Sequence, residues 1–191
     1  MNKNILLDKL PCFTQTGLKI RTDFRESIKF ELLMQDRKIN EKDKIMQALR
    51  LYYYDLDKIK DIRQAIDDIL WFYRCGKEIK QYYNSEDRKN NKKQIYSYEF
   101  DDEYIYSAFM EQYKIDLNNI KYLHWWKFKA LFNSLNKNTH FVEIMGYRAI
   151  DLSKIKDKEE KARYKKLKRL YNLSDMRTEE EKEADFAEEL W

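Results

Sequence analysis

The chain has 191 residues, of which 43% are hydrophobic, 15% aromatic and 38% charged, with a formal net charge of +4. This composition provides apolar material for a core and a surface dense in charge, which excludes intrinsic disorder of the whole chain. Because only three glycines and one proline are present, folds built on many tight turns, such as sandwiches, barrels and doubly wound sheets, are excluded.

The same counts exclude several kinds of site. The isolated Gly17, Gly76 and Gly146 cannot form a glycine-rich phosphate loop. Cys12 and Cys75 lack the spacing of a zinc site, and only two histidines accompany them. We therefore expect no cofactor and no metal. No apolar run approaches the ~20 residues of a membrane span, so we expect a cytoplasmic protein without membrane contact.

The N-terminal residues 1–21 differ from the rest of the chain. Two short arms flank Gly17, a residue suited to the positive φ of a tight turn, and Leu18 and Ile20 alternate with a lysine. We predict a small β-hairpin here. Because an isolated hairpin is marginally stable in water, it has to pack on helices or pair with another chain.

Residues 22–173 are predicted to form a helical domain. Gly76 and Gly146 are placed to end two of its helices, and the helix from Asp116 to about Leu135 is predicted to be the longest. Capping residues and apolar spacing predict helices that begin near Thr22, Asn40, Asp57, Asp101, Asp116, Thr139 and Asp157. The predicted fold class is mainly α, a multi-helix bundle with a small N-terminal β-hairpin.

Two segments carry few apolar residues or none. Residues 84–94 contain no apolar residue, which predicts a solvated loop and a candidate break between two sub-bundles. Residues 174–191 are predicted to be an acidic C-terminal tail, because they include eight acidic and only two basic residues.

Two adjacent tryptophans, Trp125 and Trp126, are the strongest local feature. Neighbouring side chains on a helix point ~100° apart, so we expect one indole in the core and the other exposed as a partner contact. Tyr122 and Phe132 complete this predicted partner-binding group. A stacking platform for single-stranded nucleic acid is the alternative interpretation.

Positive charge is concentrated late in the chain. Positions 137–171 contain eleven basic and five acidic residues. This pattern indicates either a nucleic-acid footprint or a solvated helix face whose charge the acidic tail neutralises. The small net charge favours the second interpretation. Lys161, Lys165 and Arg169 are the predicted partner-binding residues of this region.

No group of residues indicates a catalytic centre. His124 and His140 lack an acid and a nucleophile at triad-like spacing. Lys127, within an apolar helix face, is more simply explained by snorkelling or by an ion pair than by a reactive amine. We therefore predict no catalytic residue and no enzymatic activity.

Six segments in order carry a resemblance to known proteins. They are Thr22-Asp23-Phe24-Arg25, Ile28-Lys29-Phe30-Glu31-Leu32-Leu33, Trp71-Phe72-Tyr73-Arg74-Cys75-Gly76-Lys77, Ile120-Lys121-Tyr122-Leu123-His124-Trp125-Trp126-Lys127-Phe128, Ile144-Met145-Gly146-Tyr147-Arg148 and Ile150-Asp151-Leu152-Ser153-Lys154-Ile155. In these segments the chain resembles the bacteriophage gene-product-fifteen family of tailed phages and prophages of Gram-positive bacteria. The resemblance extends to about Asn172.

The resemblance implies a gene among the tail genes, between those of the tail tube protein and the tape-measure protein. In long-tailed phages that position belongs to tail assembly chaperones, which coat the tape-measure protein until tube subunits polymerise around it. The implied partners are the tape-measure protein, a companion tail assembly chaperone and further copies of the chain. The implied location is the cytoplasm of the infected host, outside the mature virion. Nucleic acid is not an expected partner.

Two other functions stay open at this point. The chain could be a structural tail component, or a small nucleic-acid-binding module that uses the basic helix 154–169. The family has no motif of catalytic residues to carry over.

Overall fold

A computed structural model describes residues 5–77 and 94–173. Within these residues the fold is mainly helical, as predicted. The helices are α1 (Phe24–Gln35), α2 (Glu41–Tyr52), α3 (Ile62–Tyr73), α4 (Asp102–Tyr113), α5 (Trp125–Asn133), α6 (His140–Ala149) and α7 (Lys158–Leu170), with one-turn 3-10 helices at Leu56–Lys58 and Leu152–Lys154.

The chain forms two compact units. Among the described residues, the first unit contains 5–77 and 109–135, and the second contains 94–108 and 136–173. The predicted domain division stays a prediction. The acidic tail and, apart from Gln94, the predicted loop at 84–94 lie outside the described residues.

The first unit is built around an aromatic core. Helix α1 packs against α2 and α5, and α2 packs against α3. Phe128 of α5 stacks on Phe24 with ring centroids 4.9 Å apart and on Phe109 at 5.1 Å. All three rings are buried, and each such pair contributes about 0.5–1.5 kcal/mol beyond the area it buries.

The predicted N-terminal hairpin does not form. A single antiparallel bridge joins Phe13 to Lys19, and the described residues contain no strand or sheet. The second arm pairs both with the first arm, where the N–H of Ile20 donates to the Cys12 carbonyl at 3.1 Å, and with the C-terminal end of α2. Ile20 bridges to Tyr53, and the N–H of Arg21 donates to the Tyr52 carbonyl at 2.7 Å.

The predicted long helix from Asp116 to Leu135 is also wrong, because α5 begins only at Trp125. The Asp116 carboxylate accepts hydrogen bonds from the N–H groups of two following asparagines and closes a turn. The Arg25 guanidinium donates hydrogen bonds to the carbonyls of Leu117 and Ile120, at 2.9 and 2.8 Å. These long-range bonds hold the segment outside the helix.

The predictions made from local capping residues were more reliable than those of the hairpin and the long helix. Asn40 and Asp157 cap α2 and α7 as predicted, each accepting the N–H of the residue three positions later. The first helix is capped by Asp23 rather than by Thr22. Gly146 does not end α6, which continues to Ala149, since an interior glycine costs only about 1 kcal/mol.

The second unit is held together by a buried ion pair. Arg148 of α6 donates to both carboxylate oxygens of Asp101, at 2.6 and 2.8 Å, and both side chains are buried. The same guanidinium donates to the carbonyls of Ile95 and Tyr171. It thereby links the segment before α4, helix α6 and the end of α7.

Candidate partner interface

The two tryptophans lie against the C-terminal end of α3. The indole N–H of Trp126 donates to the Phe72 carbonyl, and that of Trp125 donates to the Tyr73 carbonyl, each at 2.8 Å. The last carbonyls of a helix have no partner within it. The adjacent indoles therefore bind two successive carbonyls, and both rings are buried. The Phe72 carbonyl also accepts the Cys75 N–H at 3.0 Å.

The end of α3 is shaped to receive these rings. Cys75 and Gly76 both adopt positive φ, at 58° and 72°, which turns the chain away from the helix. A Cβ at Gly76 would lie 2.9 Å from Cη2 of Trp126. Burial raises the pKa of the Cys75 thiol to about 11, so this cysteine is a thiol, not a nucleophilic thiolate, at neutral pH.

His124 joins α5 to the N-terminal segment. Its Nδ1 accepts the Trp126 N–H at 3.1 Å, so Nδ1 carries no proton. Nε2 therefore carries the proton and donates to the Pro11 carbonyl at 3.0 Å. Burial lowers the pKa of this imidazole, and the nearby Lys127 lowers it further. The neutral form of the His124 ring therefore matches both of these hydrogen bonds.

Asp23 connects the start of α1 to the segment before α5. One carboxylate oxygen accepts the N–H of Arg25 and caps α1, and the other accepts the N–H of Leu123 at 3.1 Å. The N–H of Phe24 donates to the Leu123 carbonyl at 2.9 Å. Three of the six segments that carry the family resemblance, residues 22–25, 71–77 and 120–128, therefore meet in one largely buried junction.

An exposed aromatic and cationic surface lies on the same unit. Arg21 stacks on the Tyr54 ring with its Cζ 4.5 Å from the centroid, and Lys19 Nζ lies 5.4 Å from that centroid. Phe13 pairs with Lys19 across the single bridge. About half of the Phe13 and Tyr54 surfaces is exposed. We call Phe13, Lys19, Arg21 and Tyr54 the Tyr54 surface.

The Tyr54 surface is held in place by α2. Arg21 Nη1 donates to the carbonyls of Arg50 and Tyr53, at 2.9 and 2.6 Å. A cation near the C-terminus of a helix is also favoured by the helix dipole. The guanidinium is therefore fixed with one face against the Tyr54 ring, and the surface is preorganised.

A cavity of about 330 Å³ lies at the turn around Gly17. Thr16 at its wall donates to the buried carboxylate of Asp68 at 2.6 Å, and Gln64 donates to the other oxygen at 3.4 Å. The Thr16 bond attaches the turn to α3. The cavity lining is Thr16, Leu18, Lys58, Ile59, Lys60, Asp61, Gln64 and Ala65.

In the second unit, α7 carries an exposed line of positive charge. At ~100° per residue, Lys158, Lys161, Lys165 and Arg169 lie within an arc of about 80°. All four side chains are exposed. Among the described residues, no carboxylate lies within ion-pair distance of them. We call these four residues the cationic face.

The chain matches the family model described as Bacteriophage Gp15 protein over residues 6–173. It belongs to this family. No curated protein and no solved structure matches it. The match covers every described residue except Ile5, so both units are part of the Gp15 family domain.

The Gp15 chain presents only some of its predicted partner-binding side chains. Trp125, Trp126 and Phe132 are buried, so the expectation that one indole is exposed is wrong. Tyr122 is exposed, and its hydroxyl lies 2.7 Å from that of Thr22. The exposed Lys161, Lys165 and Arg169 lie on the cationic face. The partner-binding role of all seven stays a prediction.

Sequence reasoning missed the Tyr54 surface and one lysine. Tyr54 ends a run of three tyrosines that begins at Tyr52, the last residue of α2, and that run at a helix end was the available signal. Lys129, rather than the exposed Lys127, is the partly buried lysine of α5, with Nζ 5.3 Å from the ring centroids of Trp125 and Phe132. Burial lowers its pKa.

The described residues of this Gp15 protein contain no group of histidine, cysteine, aspartate or glutamate side chains placed to hold a metal ion. Over the same part of the chain, none of the helices combines the length and apolar character that a membrane span requires. The two candidate contact surfaces are the Tyr54 surface and the cationic face of α7.

Proposed function

We propose that this Gp15 protein is a non-enzymatic tail assembly chaperone, which binds and solubilises the tape-measure protein during long-tail assembly. The family match over residues 6–173 carries this proposal, together with the tail-gene position implied by the sequence resemblance. Its proposed site of action is the host cytoplasm, and we expect it to be missing from the finished virion.

The Tyr54 surface is the proposed contact with the client. A helix binds a complementary surface through apolar side chains one turn apart, flanked by charges that fix its orientation. Phe13 and Tyr54 offer half-exposed aromatic rings, and Lys19 and Arg21 offer cations beside them. A tape-measure helix with apolar side chains next to carboxylates would match both.

Weak contacts of this kind suit a chaperone. The proposed surface is small, so one copy binds weakly, and many copies along one long client bind strongly through avidity. The high charge of the chain, 38% of its residues, keeps such a coat in solution. A companion chaperone and self-association are proposed to extend the coat.

Co-expression with the tape-measure protein tests the proposal. We expect the tape-measure protein to become soluble and to co-purify with this chain. Replacing Phe13 and Tyr54 by serine should reduce the soluble complex severalfold, because both apolar contacts are lost. The matched control is Ile62→Ser, which changes an apolar side chain of similar exposure outside the Tyr54 surface.

The outcomes separate the function from the surface. A tape-measure protein that stays insoluble with the unchanged chain contradicts the chaperone proposal. A soluble complex that the double serine variant also forms would leave the function standing and contradict the surface. Presence of the chain in purified virions would favour the alternative, a structural tail component.

A further inference from the structure

The cationic face of α7 is an exposed helix surface without a counter-charge in the described residues. Helix α7 carries seven basic and two acidic side chains, and no residue of the helix is buried. Its acidic residues, Glu159 and Glu160, lie in the first turn and outside the arc of the cationic face. Like charges at this spacing repel one another, so an anionic partner stabilises the helix.

The side of α7 next to the cationic face is already occupied. Tyr164 and Tyr171 contact the ring of Tyr147, and Lys168 Nζ donates to the Ile150 carbonyl. These contacts bind α7 to α6 and to the 3-10 helix at Leu152–Lys154. The cationic face adjoins these contacts, and its four side chains stay exposed.

We propose that the cationic face is the docking surface for the chain's own acidic segment, residues 174–191. That segment carries eight acidic and two basic residues, which complements the excess of five positive charges on α7. The segment follows α7 after only three residues, 171–173. This inference does not rest on the proposed chaperone function.

The length of the segment is sufficient. Helix α7 has 13 residues and is about 20 Å long at ~1.5 Å per residue. An extended chain covers that distance in about six residues at ~3.3 Å each, and the segment has 18. Its acidic residues begin at Asp175 and cluster at positions 179–183, within reach of the whole face.

Covalent attachment favours this segment over a free polyanion. Tethering places it at an effective concentration on the order of millimolar beside α7. A nucleic acid would have to displace it while gaining little from a net charge of only +4. Any anionic partner of Lys161, Lys165 and Arg169 therefore competes with the acidic segment.

Lysine acetylation of the full-length chain, followed by mass spectrometry, tests the docking. We compare the unchanged chain with a variant carrying Glu179→Gln, Glu180→Gln, Glu181→Gln and Glu183→Gln. Acetylation of Lys161 and Lys165 should be at least about twofold faster in the variant, because docking removes the amines from solvent. Adding about 0.5 M salt to the unchanged chain should have the same effect, since salt screens exposed charges.

Lys60 is the control, because it is exposed and lies in the first unit. Its acetylation rate should be the same in both proteins. A zero-length carbodiimide should also link Lys161 or Lys165 to glutamates of the segment within monomers. These cross-links should become fewer in about 0.5 M salt, which screens exposed charges.

Three results would overturn the docking. The first is equal acetylation of Lys161 and Lys165 in the unchanged chain and the four-glutamine variant. The second is cross-links found only between two copies of the chain. The third is an absence of these cross-links while a mixed-sequence oligonucleotide protects both lysines, which would assign the cationic face to nucleic acid instead.

Discussion

The Trp126 indole lies so close to Gly76 that a Cβ on this glycine would stand 2.9 Å from the indole Cη2. Gly76 also has a φ of 72°, in the left-handed region that side chains with a Cβ rarely adopt. Two independent reasons therefore require glycine here, backbone conformation and the space that the indole occupies.

Gly76→Ala should lower the free energy of unfolding by about 1–3 kcal/mol, from left-handed strain and from displacement of the indole. The matched control is Gly146→Ala. Gly146 lies inside α6 without a positive φ, and a Cβ on it would meet no atom within 4 Å. This second change should stabilise by about 0.5–1 kcal/mol. Urea unfolding measures both, and a Gly76→Ala midpoint at or above that of the unchanged protein would contradict the assignment.

His124 should make stability depend on pH. Burial lowers its pKa in the folded chain below the ordinary histidine value of 6.5, so the unfolded chain binds a proton more readily. The contribution is fully present above about pH 6.5 and is lost as pH falls below it towards the lowered folded pKa. Protonation would also remove the Nδ1 acceptor of the Trp126 N–H. We expect a lower urea midpoint at pH 5.5 than at pH 7.5.

His124→Asn is the control for this prediction. Asparagine can still cap α5, and it does not titrate. The variant should be less stable at pH 7.5, because the bond to the Pro11 carbonyl is lost. Its change in midpoint between the two pH values should be smaller than that of the unchanged protein. An equal change in both proteins would assign the pH dependence to other groups.

Arg148→Met should be strongly destabilising to the second unit. The substitution leaves the buried Asp101 carboxylate without its guanidinium, which costs about 3–5 kcal/mol. Combining it with Asp101→Asn should recover part of the loss, since the remaining amide carries no charge. Thermal unfolding of the single and double variants measures this coupling.

Lys154→Met provides the comparison for the ion pair. Lys154 lies 3.9 Å from Asp151, and both side chains are largely exposed. Solvent-exposed pairs contribute little to stability, so we expect no measurable change. If Arg148→Met were equally harmless, the pair with Asp101 would not be what holds α6 in place.

Several elements were predictable because their signals are local. Asn40 and Asp157 each cap a helix with a side chain that reaches only three residues along the chain. The helical class followed from the scarcity of glycine and proline.

The candidate surfaces were only partly predictable. Lys161, Lys165 and Arg169 were found because charge density is visible in sequence, and a helix spaced at i, i+4 gathers them on one side. The Tyr54 surface was missed, because it joins Phe13, Lys19 and Tyr54 from distant parts of the chain. The periodicity of a sequence gives no information on contacts between residues that are far apart in the chain.

The sequence by itself determined the helical class, the caps of α2 and α7, the charge distribution and the membership indicated by its six segments. The tertiary structure decided where these segments meet. Arg25 donates hydrogen bonds to the carbonyls of residues 117 and 120, which lie outside a helix. The indoles of Trp125 and Trp126, which we expected to point in different directions, both donate to carbonyls at the end of α3. Hydrogen bonds between distant residues override local preference here because each gives a backbone carbonyl a partner from another part of the chain.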